Sequence, residues 1–147
     1  MSRPLKITLI GAAVVAFLVV SGLLARFLSV ENLERQDVLG LLRAQARGDT
    51  TSMFSMLHGC SGTCPGIVRT DAARLRGPGA VKILAYHSGT AFSLTGKTGQ
   101  TRVAWKLGNR LIPDVQCVTL RRGGNPVSGI SVTLLRISRP IPLTSDC

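Results

Sequence analysis

From Ile7 to Ala25 the chain reads ITLIGAAVVAFLVVSGLLA, 19 consecutive residues without a charge. As a helix rising about 1.5 Å per residue, that run spans about 28 Å, close to the roughly 30 Å hydrocarbon core of a bilayer. A helix of a small soluble domain keeps a polar stripe for water, and a chain of 147 residues is too small to enclose a helix that is apolar on every side. The run therefore predicts a membrane-spanning helix over 7–25. It exceeds the apolar stretch of a cleaved leader, about 7–15 residues, and Leu23-Leu24-Ala25 makes a poor small-x-small cleavage site, so an uncleaved anchor is expected. Arg3 and Lys6 precede the run, whereas the flank after it mixes Arg26 and Arg35 with Glu31, Glu34 and Asp37. The cytoplasmic bias of basic flanks predicts a cytoplasmic tail at 1–6 and an extracytoplasmic domain at 31–147. Pilin-type subunits carry an acid inside such a helix, and here the first acid is Glu31, after it.

The anchor resolves an odd composition. The chain is apolar on average, with a mean hydropathy of +0.29, yet carries a formal charge of +11. Setting aside Arg3, Lys6 and Arg26 leaves 15 basic residues against 7 acids, a net +8, in the part expected outside. Fourteen of the 18 basic residues are Arg, which together with abundant Ala and Gly suggests a bacterial genome rich in G and C. A basic outer domain is attracted to anionic envelope material, phospholipid headgroups or wall polymers, by a salt-sensitive and sequence-independent force. Arg121, Arg122, Arg136 and Arg139 are the expected basic patch. Nucleic acid is not an expected partner, since aromatic residues for base stacking are few. The length permits one ordinary domain and excludes multidomain enzymes and repeat arrays.

All four cysteines, Cys60, Cys64, Cys117 and Cys147, fall in the outer part. Their even number fits two disulfides in an oxidising compartment. Cys60 with Cys64 and Cys117 with Cys147 is the preferred pairing, with a cross-pairing of Cys60 or Cys64 to Cys117 left open. His58, Cys60 and Cys64 also offer three soft ligands within seven residues, but the spacing departs from the Cys-x-x-Cys of zinc sites, so no metal and no cofactor are expected.

Past the anchor, Val38, Leu41, Leu42 and Gln45 share one face of an amphipathic helix over 31–47, which Gly48 ends. Asp49 is a natural N-cap for a second helix over 50–57, and Pro65 opens a third, over 65–75. The period then changes to that of strands over 81–87, 91–94, 102–107, 115–121 and 130–137, divided by Gly-rich turns. Helices first and strands afterwards predict an α+β fold, with two or three helices packed on a curved antiparallel sheet of four to five strands. Arg43-Ala-Gln-Ala-Arg-Gly-Asp-Thr-Thr-Ser-Met-Phe-Ser-Met-Leu, a helix closing on Gly-Asp before a small amphipathic turn, resembles the opening segment of the nuclear transport factor two-like fold, the cone of ketosteroid isomerase and its relatives. A cystatin-like sheet wrapped on one helix is the nearest alternative.

Enzymes of that fold keep an acid, Tyr or His inside the cone, and the resemblance directs attention to Tyr86, His87, Asp114 and His58. Adjacent strand residues point to opposite faces, so Tyr86 and His87 share a pocket only if a bulge intervenes. With neither a base matched to a nucleophile nor a paired carboxylate, catalysis is not expected. On 102–107, Val103, Trp105 and Leu107 face one side and Arg102, Ala104 and Lys106 the other. If the concave face is open, Trp105, Tyr86 and Phe92 are the residues to bind a small apolar ligand. The resulting expectation is a membrane-anchored, non-catalytic binding or assembly module of a bacterial envelope, whose partner is another envelope protein or an anionic polymer. The alternative is a cone-fold enzyme or small-ligand carrier.

Overall fold

The computed structural model describes residues 3–89, 98–125 and 128–147. A single helix, α1, runs from Arg3 to Arg47. The sequence suggested a boundary at 26–30, between anchor and domain, and none exists. That stretch, Arg-Phe-Leu-Ser-Val, holds neither Gly nor Pro, and the Ser29 hydroxyl folds back to donate to the Arg26 carbonyl at 2.7 Å, so nothing stops the helix. The apolar half of α1 has no cover: Ile7, Ile10, Phe17 and Leu18 are 63–71% exposed. Burial begins at Val30 and continues through Val38, Leu41, Leu42 and Gln45, the face read from the sequence.

Gly48 ends α1 because it adopts φ +73°, a left-handed conformation that lets the Asp49 amide reach back to the Ala44 carbonyl at 2.9 Å. Asp49 then caps α2 (Thr50–Met56), accepting from the Ser52 amide at 3.0 Å. A disulfide between Cys60 and Cys64 closes the loop leading to α3 (Cys64–Arg74), which has Pro in its first turn. Four strands follow as a meander in the order β1-β2-β3-β4, all antiparallel: β1 (Val81–His87), β2 (Thr98–Leu107), β3 (Asp114–Asn125) and β4 (Gly129–Ile137). The strand expected over 91–94, and Phe92 with it, lies outside the described residues.

The helices cover one face of this sheet. Glu34 of α1 meets Arg122 of β3, and Gln45 of α1 meets Gln116 of the same strand. The two helix positions are about 17 Å apart and the two strand positions about 20 Å. The axis of α1 therefore lies close to the strand direction. The end of the sheet holding Arg122 is the end nearer the apolar half of α1, and the β2–β3 turn is at the far end. Between the layers, Leu41, Leu42, Met53, Val68, Val103, Trp105, Val118 and Leu120 are fully buried.

Two irregularities set which side chains face the helices. Ile83 pairs with Trp105 and Ala85 with Ala104, so Leu84 is an extra residue that shifts the parity of β1. Because of it Tyr86 turns inward and His87 outward. On β4, Leu135 is the extra residue, and the Cys loop lies against that point: the amides of His58 and Gly59 donate to the carbonyls of Leu134 and Leu135 at 2.9 and 3.2 Å. A Cβ on Gly59 would meet the Leu135 Cβ at 3.1 Å, so loop and strand approach closely there. The tail after β4 follows β3, with the Ile141 amide donating to the Val115 carbonyl at 2.7 Å. It then returns across the outer face, where Cys147 is bonded to Cys117.

Candidate functional site

The inner face carries a buried polar cluster at the end nearer the apolar half of α1. Glu34 lies on the α1 stripe one turn from Val30 and one turn from Val38, so the helical period itself places it against the sheet. It is fully buried. Its carboxylate accepts from the Tyr86 hydroxyl at 2.6 Å, the Thr101 hydroxyl at 2.8 Å and the Arg122 Nε at 2.9 Å, with the Ser88 hydroxyl at 3.3 Å. Burial alone would raise the carboxyl pKa, but hydrogen bonds from Tyr86, Arg122 and Thr101 and the Arg122 charge outweigh it, and Glu34 is held below its ordinary value. Burial, and then the hydrogen bond to Glu34, push the Tyr86 hydroxyl well above its ordinary range. Glu34 is ionised and Tyr86 neutral near pH 7, so neither is poised to exchange a proton there.

A second cluster sits toward the far end. Gln116 of β3 accepts from Trp105 Nε1 at 2.9 Å and from Gln45 Nε2 at 3.0 Å, and donates to the Ser138 carbonyl at 2.9 Å and to Asp71 Oδ2 at 3.3 Å. Burial pushes the Asp71 carboxyl up to about 6, against the opposing pull of Arg139 and Arg74.

These clusters correct several sequence expectations. Arg122 does not join a surface patch: it is 6% exposed and ion-paired to Glu34, because it continues the inward alternation Gln116, Val118, Leu120 on β3. Trp105 is fully buried, with its one polar atom used by Gln116, and the Tyr86 hydroxyl is given to Glu34. The face expected to bind an apolar ligand is, among the described residues, filled by its own side chains. Tyr86, His87, Asp114 and His58 are not brought together. His87 is exposed on the outer face, Asp114 is at the far end beside Arg110 at 3.4 Å, and His58 lies at the β4 edge. Both cysteine pairs are oxidised, so the thiolates that a metal at His58 would require are absent, and no group of three ligands among the described residues could hold a metal ion.

The outer face of the sheet is where the charge gathers. Register and alternation turn Lys82 of β1, Arg102 and Lys106 of β2, Arg121 of β3 and Arg136 of β4 away from the helices. Among the described strand residues the sole acid is Asp114, which pairs on the opposite parity with Trp105. Arg102 binds the returning tail, donating to the carbonyls of Ser145 and Leu143 at 2.9 and 2.5 Å, and the tail brings Asp146 to this side. Arg136 Nε donates to the Gly59 carbonyl at 3.1 Å. Lys82, Arg121 and Arg136 remain exposed around the tail, and Arg139 is exposed on the tail itself. The period-2 alternation of 102–107 already marked Arg102 and Lys106 on this face. Arg121, Arg136 and Arg139 belong to the expected basic patch and are exposed, whereas assigning Lys82 to this face needed the β1 register and the position of its bulge.

Compared with known proteins, the chain matches no family model, no curated protein and no solved structure.

Proposed function

We propose that the chain is a single-pass protein of a bacterial cell envelope, with its N-terminus in the cytoplasm. Its disulfide-bonded head would act outside as a non-catalytic module that binds an anionic envelope polymer. The observation that carries this reading is the outer sheet face, where five cations stand on four strands and no described strand residue of that face is acidic, the one acid beside them being Asp146 of the tail. A cationic surface of that kind concentrates polyanions, and the affinity falls steeply with salt. The uncovered apolar half of α1, long enough to cross a membrane, and the two disulfides support the placement. The carrier alternative requires a cavity at Trp105 and Tyr86, and that space is occupied by the core and by the Glu34 cluster.

The test is binding of the full chain, in zwitterionic nanodiscs, to poly(glycerol phosphate) at several salt concentrations. Arg121→Glu with Arg136→Glu should weaken binding by more than tenfold. Arg43→Glu with Arg74→Glu makes the same charge change on the helix layer and should weaken it far less. Equal losses from both pairs would refute a specific face, and capture of an acidic envelope protein by crosslinking in place of the polymer would replace the polymer as partner.

A further inference from the structure

A groove of about 240 Å³ opens between α1 and residues 128–130 at the start of β4. Its α1 wall is Arg26, Ser29, Val30 and Leu33, and its hairpin wall is Ser128 to Ile130. The four helix positions follow the spacing i, i+3, i+4, i+7 and so form one face. Glu31 is not on that face, and Glu34, one turn above Val30, is buried against the sheet and ion-paired to Arg122.

The height of the groove decides what can reach it. If the hydrocarbon core ends near Ala25, Arg26 to Val30 occupy the next 6–8 Å or so along the helix axis, and the headgroup layer on each side is about 5–8 Å thick. The groove is thus level with lipid headgroups, beside a membrane that holds lipid at very high local concentration. Its chemistry is mixed in the way a phospholipid head is mixed: Arg26 at the lower lip, Ser128 on the opposite wall, and apolar residues Val30, Leu33 and Ile130, while the Ser29 hydroxyl is given to the Arg26 carbonyl. The volume equals about eight waters at roughly 30 Å³ each, enough for a phosphate with its glycerol and too small for acyl chains.

We infer that this groove is a seat for the headgroup of an anionic phospholipid of the outer leaflet, whose phosphate is bound by Arg26 while its chains lie in the bilayer along the apolar half of α1. A guanidinium suits a phosphate geometrically, because its planar fork of N–H donors matches two phosphate oxygens. The seat makes the β3–β4 hairpin a foot of the head on the membrane and fixes the rotation of α1 about its own axis. It rests on the membrane placement proposed above and is independent of what the outer sheet face binds.

The experiment reconstitutes the full chain in vesicles of equimolar phosphatidylglycerol and phosphatidylcholine, extracts it gently and counts retained lipids by native mass spectrometry. One phosphatidylglycerol should remain bound. Arg26→Gln should reduce retention about fivefold, the worth of one interfacial basic residue. Leu33→Trp, on a position 44% exposed and therefore tolerant, should fill the groove and abolish retention. Arg35→Gln, the same charge change off the groove face, should leave it intact. Retention unchanged in every variant means annular lipid only and overturns the seat, as does a chain that resists carbonate extraction yet keeps no lipid. Release of the chain by carbonate would instead refute the membrane placement itself.

Discussion

Replacing Arg122 with Leu removes the cation from a carboxylate that has no access to water. Glu34 is fully buried and Arg122 is 6% exposed, so this pair belongs to the buried class, in which deleting one partner costs about 3–5 kcal/mol. Tyr86 and Thr101 still donate to Glu34, which places the expected loss near the lower end, about 3 kcal/mol at pH 7. The loss carries a pH signature whose sign follows from the pKa direction. In the parent chain the folded Glu34 pKa lies below its unfolded value, so its contribution is present above the unfolded value of about 4.3 and fades as pH falls through the folded one. Without Arg122 both its hydrogen bond and its charge are lost, so burial is opposed only by Tyr86 and Thr101, the folded pKa rises relative to the parent's, and the variant loses less stability as acid protonates Glu34. The gap between the two proteins should therefore be widest near neutrality and close toward pH 4. The single tryptophan, Trp105, is fully buried and reports unfolding by fluorescence in urea, with disulfides intact and the full chain in micelles. At a slope of about 2 kcal/mol per molar, the midpoint should fall by about 1.5 M at pH 7. Replacing both Glu34 and Arg122 by Met should recover at least half of that, because a paired apolar substitution leaves no stranded charge. A single-variant loss below about 1 kcal/mol, or a gap that widens toward low pH, would refute the account of a buried charge pair.

Asp71 behaves in the opposite sense: its folded pKa is raised to about 6, so the parent chain should gain stability as pH falls from above 6 toward 4. Asp71→Asn should accordingly be more stable than the parent at pH 8, by about 2–3 kcal/mol, and equal to it near pH 4, as read from urea midpoints. Replacing Cys117 and Cys147 with Ser opens a cross-link of sequence separation 30 and should cost about 3.6 kcal/mol, whereas the same change at Cys60 and Cys64, separation 4, should cost about 2; thermal unfolding of the two variants checks the order. Gly48→Ala forces a Cβ into a left-handed position and should cost about 1–2 kcal/mol by the same urea assay, while Gly40→Ala, at an ordinary helical position with open space around it, should stabilise by up to about 1 kcal/mol.

Local chemistry made much of the architecture legible. The uncharged run needed nothing but its length, the α1 stripe from Val38 to Gln45 only the helical period, and the start of α2 only Asp49 after a left-handed Gly. Cys60 and Cys64 are near enough in sequence to close a small loop, and the alternation along β2 fixed Trp105 inward and Lys106 outward. Each of these depends on contacts within a few residues, and those are written in order along the chain.

The functional surfaces depend on contacts the chain makes with itself at long range. Glu34 and Arg122 lie 88 residues apart, and each read alone is an ordinary surface charge. What buries them is the angle of α1 across the sheet, which brings one helix turn over one β3 position and turns an expected patch residue into a core residue. Tyr86 faces inward rather than His87 because one extra residue at Leu84 inverts the parity of half a strand, and such a bulge is invisible to period-2 counting. The continuity of α1 through 26–30, by contrast, follows from local sequence, since that stretch holds neither Gly nor Pro. Sequence thus determined that there is an apolar anchor-type helix, an oxidised α+β head and an excess of positive charge. Tertiary structure decided which of those charges face water, because burial is a property of the register between elements and not of any one of them.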